Sequence, residues 1–258
     1  MMVDNKQDVQ NQFGKNAASY VSSPIHKDGR DLLKIIEIAS LSGIEVLLDV
    51  ASGGGHTAKA FAPLVKKVIA LDLTKEMLLA AENYIKIDGH KNVEFVLGDA
   101  EKLPFPNHSF EIVSCRIAPH HFPNVQQFSN EAARVLKENG QFLLIDNVVP
   151  EDDELDEFYN KIEKMRDYSH YRAWKKSEWL KMLESSGFHI EELYRFEKTF
   201  DFEPWCNRMQ LTEEEKQKLT RYILNASVKV KEKFKIVIEN QAVQTFVGES
   251  VIIKAVKK

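Results

Sequence analysis

The groups best suited to chemistry in this 258-residue chain are three aspartates beside glycine-containing turns and one pair of histidines. Asp49 closes the apolar run Val46-Leu47-Leu48 and precedes Val50-Ala51-Ser52-Gly53-Gly54-Gly55. Asp72 closes Val68-Ile69-Ala70-Leu71, and Asp99 follows Val93-Glu94-Phe95-Val96-Leu97-Gly98. Apolar runs this short suit buried parallel strands, and consecutive glycines let the backbone turn sharply and pass close to a ligand. In open parallel sheets the ligand lies over the carboxyl ends of the strands, so the three acids converge on one site. A dinucleotide would bring two phosphates to such a turn, with an acid about twenty positions on for the ribose, and Asp72 meets the second half of that rule. Three carboxylates around two phosphates repel, however, by roughly 1 to 4 kcal/mol per close pair. The constellation suits a ligand that carries positive charge.

A nucleoside bearing a sulfonium and an ammonium meets that requirement, which points to S-adenosylmethionine. From the first strand to about Asp146 the chain resembles the class I S-adenosylmethionine-dependent methyltransferases, nearest to the ubiquinone/menaquinone C-methyltransferase-like group (methyltransferase type 11), with the landmarks in the family's order. The resemblance implies an α/β fold: a Rossmann-like seven-stranded methyltransferase sheet, mostly parallel with an antiparallel last strand, helices on both faces and a helical lid. It implies that Asp49 helps hold the methionine end and that Gly53 and Gly55 let the backbone pass the cofactor. Asp72 would bind both ribose hydroxyls, and Asp99 with the Ala100 N–H would read the adenine edge. Ala51, Ser52, Leu73 and Met77 complete the expected cofactor set, with Arg116 at the methionine portion and Tyr20 from an N-terminal piece that folds over the cofactor. Ala51 stands where the family has its first glycine, a change that needs only a permitted negative φ. Glu138-Asn139 replaces the usual Pro-Gly, and the Tyr-Asp signature of the quinone-methylating branch is missing around Tyr20.

In this family the fourth strand, here Phe110 to Arg116, lies beside the transferred methyl, so the following Ile117-Ala118-Pro119-His120-His121-Phe122-Pro123 faces the substrate. A histidine near neutral pKa can accept a proton from a hydroxyl or amine as it is methylated, a contribution of about 10² to 10⁴ in rate. Adjacent side chains rarely point the same way; His120 is the catalytic candidate and His121 a substrate contact. His26 and the aromatic-rich stretch with Tyr168, His170 and Arg172 supply the other substrate candidates. Further ligands at metal-binding spacing are missing, so no metal is expected.

With 43% hydrophobic and 29% charged residues the chain can bury the core of one α/β domain. The expected organisation is a single methyltransferase domain over 1–258, with a helical cover at 1–43, a cofactor core at 44–146, and lid or insert helices at 147–176 and 203–240. A formal charge of −4 disfavours nucleic-acid partners. No run approaches the roughly 20 apolar residues of a membrane span, and the first residues lack an apolar signal core. A cytoplasmic enzyme acting on a small-molecule acceptor is expected, with Cys115 and Cys206 as ordinary packing residues. Among the elements, Thr74 and Ser177 are predicted to cap helices, a helix from Asn124 to close at Asn139-Gly140, and Thr212 to Glu215 to form a capping box opening one long helix through Val230. Two rivals share the strand-turn-helix opening: a NAD-dependent oxidoreductase and a non-catalytic S-adenosylmethionine-binding protein. Thermal unfolding separates the first rival from the main reading. A ligand at 100 times its Kd adds about 2.7 kcal/mol, or roughly 5 to 10 °C at this size. S-adenosylmethionine and S-adenosylhomocysteine should give that shift and NAD should give none.

Overall fold

The computed structural model describes residues 5–21 and 29–258, with side chains in the first stretch only as far as Ala17. Strands β1 (Val46–Val50), β2 (Lys67–Asp72), β3 (Val93–Leu97), β4 (Phe110–Arg116) and β5 (Leu136–Val149) run parallel in the order β3-β2-β1-β4-β5. Two residues, Trp174–Lys175, form β6 beside the end of β5. The long strands β7 (Phe188–Asp201) and β9 (Ala242–Lys257) finish the sheet, β9 lying between β5 and β7 and antiparallel to both. A short β8 (Val237–Glu239) makes a hairpin with β9. The continuous path therefore has the seven expected strands, with β6 and β8 as additions outside it.

Helices α1 (Asn5–Val21), α2 (Arg30–Ile38), α3 (His56–Phe61), α4 (Lys75–Ile87) and α5 (Val125–Val135) accompany the parallel half. Alternation along β1 sends Leu47 to a cluster with Leu32, Ile35 and Phe61, and Leu48 to another with Phe128, Trp179 and Leu183. Burial on both faces is what a parallel sheet between helical layers demands. Helices α6 (Asp153–Arg166), α7 (Lys176–Ser185), α8 (Phe202–Asn207), α9 (Glu213–Leu224) and α10 (Val228–Lys233) complete the chain. α6, α8, α9 and α10 share a separate aromatic-rich core, in which Trp205 packs on Phe246 of β9, and Phe158 and Tyr159 pack on Phe234. Residues 147–176 and 203–240 are thus joined by one apolar cluster set against the end of the sheet. No helix among the described residues is long and apolar enough to cross a membrane.

Several local expectations change. α5 ends at Val135, because Leu136 is already extended (φ −70°, ψ 142°) and begins β5. Ser177 does not cap: α7 starts at Lys176, and the Ser177 hydroxyl donates to Glu151 at 2.5 Å. The capping box at Thr212 forms, yet its helix stops at Leu224, and Ser227 caps α10 anew through the Val230 N–H.

Gly55 illustrates how the cofactor half is fastened. It takes φ +81°, and a Cβ there would lie 2.9 Å from both Ala81 Cβ and Ile85 Cδ1 on α4. The left-handed conformation costs an L-residue about 1 to 2 kcal/mol and overpacking about 1 to 3 more. Gly55→Ala should therefore lower the urea-unfolding free energy by about 2 to 4 kcal/mol; a loss under 1 kcal/mol would contradict this packing.

Candidate functional site

The carboxyl ends of β1, β2 and β4 and the loop after β3 open into one cleft of about 1030 Å³, mouth included. Val9 and Phe13 of α1 roof it, and Leu71, Met77, Ile117 and Phe122 give it apolar walls. Parallel register sets Asp49 between Ala70 of β2 and Ser114 of β4. Asp49 is 1% exposed; it accepts hydrogen bonds from Ser52 Oγ at 2.6 Å and Ser114 Oγ at 2.8 Å. Among the described residues no cation pairs with it. Burial pushes its pKa up to about 6, against the pull of the two serine hydroxyls and the more distant Arg116. A buried carboxylate with no paired cation among the described residues, bordering an apolar-walled cleft, suits a positively charged group such as the sulfonium and ammonium that the sequence calls for.

Asp72 fastens the glycine turn to β2, with Oδ2 accepting the Gly53 N–H and Oδ1 the Thr74 N–H, each at 2.8 Å. Burial raises its pKa. Each carboxylate oxygen keeps lone-pair capacity for a further donor. Asp99 is more open: Oδ1 accepts the Glu101 N–H at 2.9 Å, while Oδ2 meets the Lys6 ammonium at 2.6 Å. Lys6 also pairs with Glu101 at 2.6 Å. Gln10 Nε2 donates to the Leu73 carbonyl at 3.0 Å and Asn5 Nδ2 to those of His121 (2.7 Å) and Ser169 (3.2 Å). α1 is thereby tied to both rims of the cleft.

Of the expected cofactor residues, Asp49, Ala51, Ser52, Gly53, Asp72, Leu73, Met77, Asp99, Ala100 and Arg116 border this cleft. Gly55 does not; it serves the packing against α4 described above. The Tyr20 side chain and His26 lie outside the described residues. Ala51 corrects a second expectation, since its φ is +54° and not negative. That conformation costs about 1 to 2 kcal/mol without a glycine. It is held by the Ser52 N–H on the Leu71 carbonyl and the Gly55 N–H on the Ser52 carbonyl, both at 2.9 Å. The Arg116 side chain is tied at 2.8 Å to Asp31 of α2, both 5% exposed.

The histidines divide differently from the expectation. They occupy a single turn of 3₁₀ helix, Pro119–His121. His121 borders the cleft, whereas His120 does not and is held from behind by Asp146, with Nδ1 2.6 Å from Oδ1. Burial works to lower the His120 pKa, but Asp146, with Glu163 and Asp167 further off, outweighs it and raises the value. His121 Nδ1 faces the Ser169 carbonyl at 3.1 Å, which assigns the proton to that nitrogen. Burial and the neighbouring His120 push its pKa down to about 4. His170 stacks in the same group, 5.6 Å from His120, and bonds Asn160 through Nε2 at 2.9 Å. Burial, His120 and His121 all lower its pKa. Tyr168 is exposed and Arg172 is paired with Asp156 at 2.8 Å; neither they nor His170 border the cleft. Their aromatic density reflects the way residues 167–174 wrap the end of α6. No cluster of three metal-ligating side chains forms among the described residues.

Lys6, Val9, Phe13, Ser114 and Asp146 are site neighbours that the sequence reading left out. Asp146 had a usable signal, an acid ending an apolar strand as Asp49 does; the α1 residues had none, because a polar amphipathic lead does not reveal what it covers.

Comparison with known proteins places this geometry. Residues 48–144 match a family model described as a methyltransferase domain. An uncharacterized methyltransferase of Bacillus subtilis, YcgJ, is 35% identical over 247 residues, covering 95% of this chain and 98% of that protein. Its crystal structure superposes with a TM-score of 0.86, covering 88% of this chain and 98% of that one, and it shares the mixed sheet with the antiparallel strand. A putative methyltransferase of Bacillus halodurans is 57% identical with a TM-score of 0.87, covering 89% and 99%. The ubiquinone/menaquinone biosynthesis C-methyltransferase of Hahella chejuensis is 36% identical over 104 residues, only 39% of this chain and 42% of that protein.

The Asp49 charge yields a prediction of definite sign. Its folded pKa lies above the unfolded value near 3.8, so its contribution to stability is present below pH 4 and lost as pH rises to about 6. The loss is about 3 kcal/mol, two units at 1.36 each. Unliganded Asp49→Asn should therefore melt roughly 5 to 10 °C above the parent at pH 7.5, while binding S-adenosylhomocysteine at least tenfold more weakly. A variant that melts lower, or binds as well, would contradict the assignment.

Proposed function

This chain belongs to the class I S-adenosylmethionine-dependent methyltransferases, and from that premise we propose that it methylates an oxygen, nitrogen or carbon of a small-molecule acceptor. Family membership sets aside both rivals, the oxidoreductase and the non-catalytic binder. The quinone acceptors named for some relatives are not carried over. Those relatives match only the cofactor half, and the quinone branch's N-terminal signature is missing here.

The observation that carries the site reading is the solitary buried Asp49 carboxylate among three acids at three strand ends. In this reading Asp49 holds the ammonium of the methionine portion. The spare lone pairs of Asp72 receive the ribose hydroxyls, and Asp99 with the Ala100 N–H reads the adenine edge. Bound there, S-adenosylmethionine supplies a methyl carbon on a positive sulfur that is already a good leaving group. The protein's task is then alignment and exclusion of water. α1 closes the cofactor side through Lys6, Gln10 and Asn5, and α6 with α8 to α10 forms the acceptor lid.

An acceptor hydroxyl or amine must lose a proton as the methyl arrives. His120 is the proposed recipient. Its Nδ1–H is held by Asp146, so in the neutral ring the lone pair sits on Nε2, and the carboxylate stabilises the imidazolium that forms. His121, bordering the cleft with a low pKa, stays neutral and serves as wall.

The test is an acceptor screen read by S-adenosylhomocysteine release, followed by variants. With a turned-over hydroxyl or amine acceptor, His120→Ala should lose about 10² to 10⁴ in kcat while its affinity for S-adenosylhomocysteine stays within about threefold. Because the base must be deprotonated and its pKa is raised, kcat should climb with pH through a value above 6.5. Asp146→Asn should move that limb downward. A kcat within threefold of the parent in His120→Ala would remove His120 from the mechanism.

A further inference from the structure

Two permanent cations border the cofactor cleft among the described residues, Lys6 and Arg116. Lys6 stands at the far rim, where Asp99 and Glu101 hold it. Arg116 stands next to the acid that is read as holding the ammonium. In register, Asp49 of β1 lies beside Ser114 of β4 and accepts from its hydroxyl, so the two side chains share one face of the sheet. Side chains alternate along a strand, and Arg116, two residues beyond Ser114, projects from that same face about 7 Å further along. The core agrees: Cys115, between them, packs with the opposite cluster of Phe128 and Trp179. Asp49 feels the Arg116 charge, although the two do not pair. A carboxylate and a guanidinium therefore stand side by side at the strand ends, both at the border of the cleft.

A buried guanidinium needs a counter-ion. α2 supplies it: Asp31, in the first turn, accepts from Arg116 Nε at 2.8 Å, with both side chains 5% exposed. Burial works to raise the Asp31 pKa, but Arg116, with Lys198 further off, outweighs it and lowers the value, so the acid stays ionised. α2 is itself fixed by Leu32, Ile35 and Ile38, which pack with Leu47 on this side of the sheet. A long side chain is thus held to one direction before any ligand arrives, which removes an ordering cost from binding. The bond to Asp31 uses Nε, and a guanidinium presents five N–H groups in a planar fork that suits carboxylates.

We propose that Arg116 receives the carboxylate of the cofactor's methionine portion while Asp49 holds its ammonium, and that Asp31 is a positioning residue acting through Arg116. The three side chains then select a zwitterionic amino-acid end. α2, none of whose residues borders the cleft, becomes part of cofactor recognition. The proposal rests on the cofactor reading above and names the group that Arg116 reads.

Isothermal titration with three ligands tests it: S-adenosylhomocysteine, its decarboxylated form, which keeps the amine alone, and methylthioadenosine, which lacks the amino acid. The parent should bind S-adenosylhomocysteine at least about tenfold more tightly than the decarboxylated form. Arg116→Met should bring that ratio below about threefold, and Asp31→Asn should lower it at least about threefold, while methylthioadenosine binds all three proteins alike. General destabilisation would weaken the three ligands together, so the ratio separates a positioning role from a structural one. The parent's own ratio tests the proposal even where a variant fails to fold. A parent ratio under tenfold, or a ratio that survives Arg116→Met, overturns the proposal; one that survives Asp31→Asn overturns the role given to Asp31. None of these outcomes touches the cofactor reading, which falls only if S-adenosylhomocysteine itself does not bind.

Discussion

The structure turns on one unneutralised charge, the Asp49 carboxylate at the tip of the central parallel strand. Its neighbours in register are an alanine and a serine, so the sheet offers it hydroxyls and no cation. A carboxylate left in that state is costly, and above its raised pKa a cationic ligand would relieve the cost. Everything nearby preserves the arrangement. The left-handed Ala51 and the Asp72 bonds to Gly53 and Thr74 hold the turn open, and apolar walls keep the dielectric low around the charge. A binding site built around a buried charge gives up stability in the unliganded protein in exchange for affinity.

Elsewhere the interior charges are handled in the opposite way. Asp31, Asp146 and Glu163 each face a dedicated partner, in pairs that link helix to strand or helix turn to helix turn. Each pair is largely buried, so its partners offset one another's cost of leaving water. The imidazoles of His120, His121 and His170 stack beside the cofactor cleft, and the two carbonyls that receive Asn5 lie at the same place. α1 is therefore joined to the Pro119–His121 turn and to Ser169 through Asn5.

The cofactor side was legible in the sequence because its determinants are local. An apolar strand, a small-residue turn and a following helix each declare themselves over a few residues, and the rule that ligands lie over strand ends turns three separate acids into one site. Asp49, Asp72 and Asp99 needed nothing more. Pairings between distant strands, backbone signs and the facing of adjacent side chains leave no such trace. Gly55 and Gly53 look alike in sequence, yet one packs against α4 and the other borders the cleft. Ala51 gave no warning of a positive φ, because the turn's own hydrogen bonds impose it.

By itself, then, the sequence determined an α/β chain of strands alternating with helices and the three acids that end three of its strands, which follow from periodicity and residue type, while the family resemblance implied the seven-stranded sheet. Only the tertiary structure decided which histidine meets a carboxylate, what α1 covers, and what Tyr159 packs on. His120 reaches Asp146 across 26 positions, and the Tyr159 ring lies over Gly248 of β9 because that residue has no side chain. Contacts of that range are set by sheet register and by which side chain is absent opposite, and both exist only once the chain has folded.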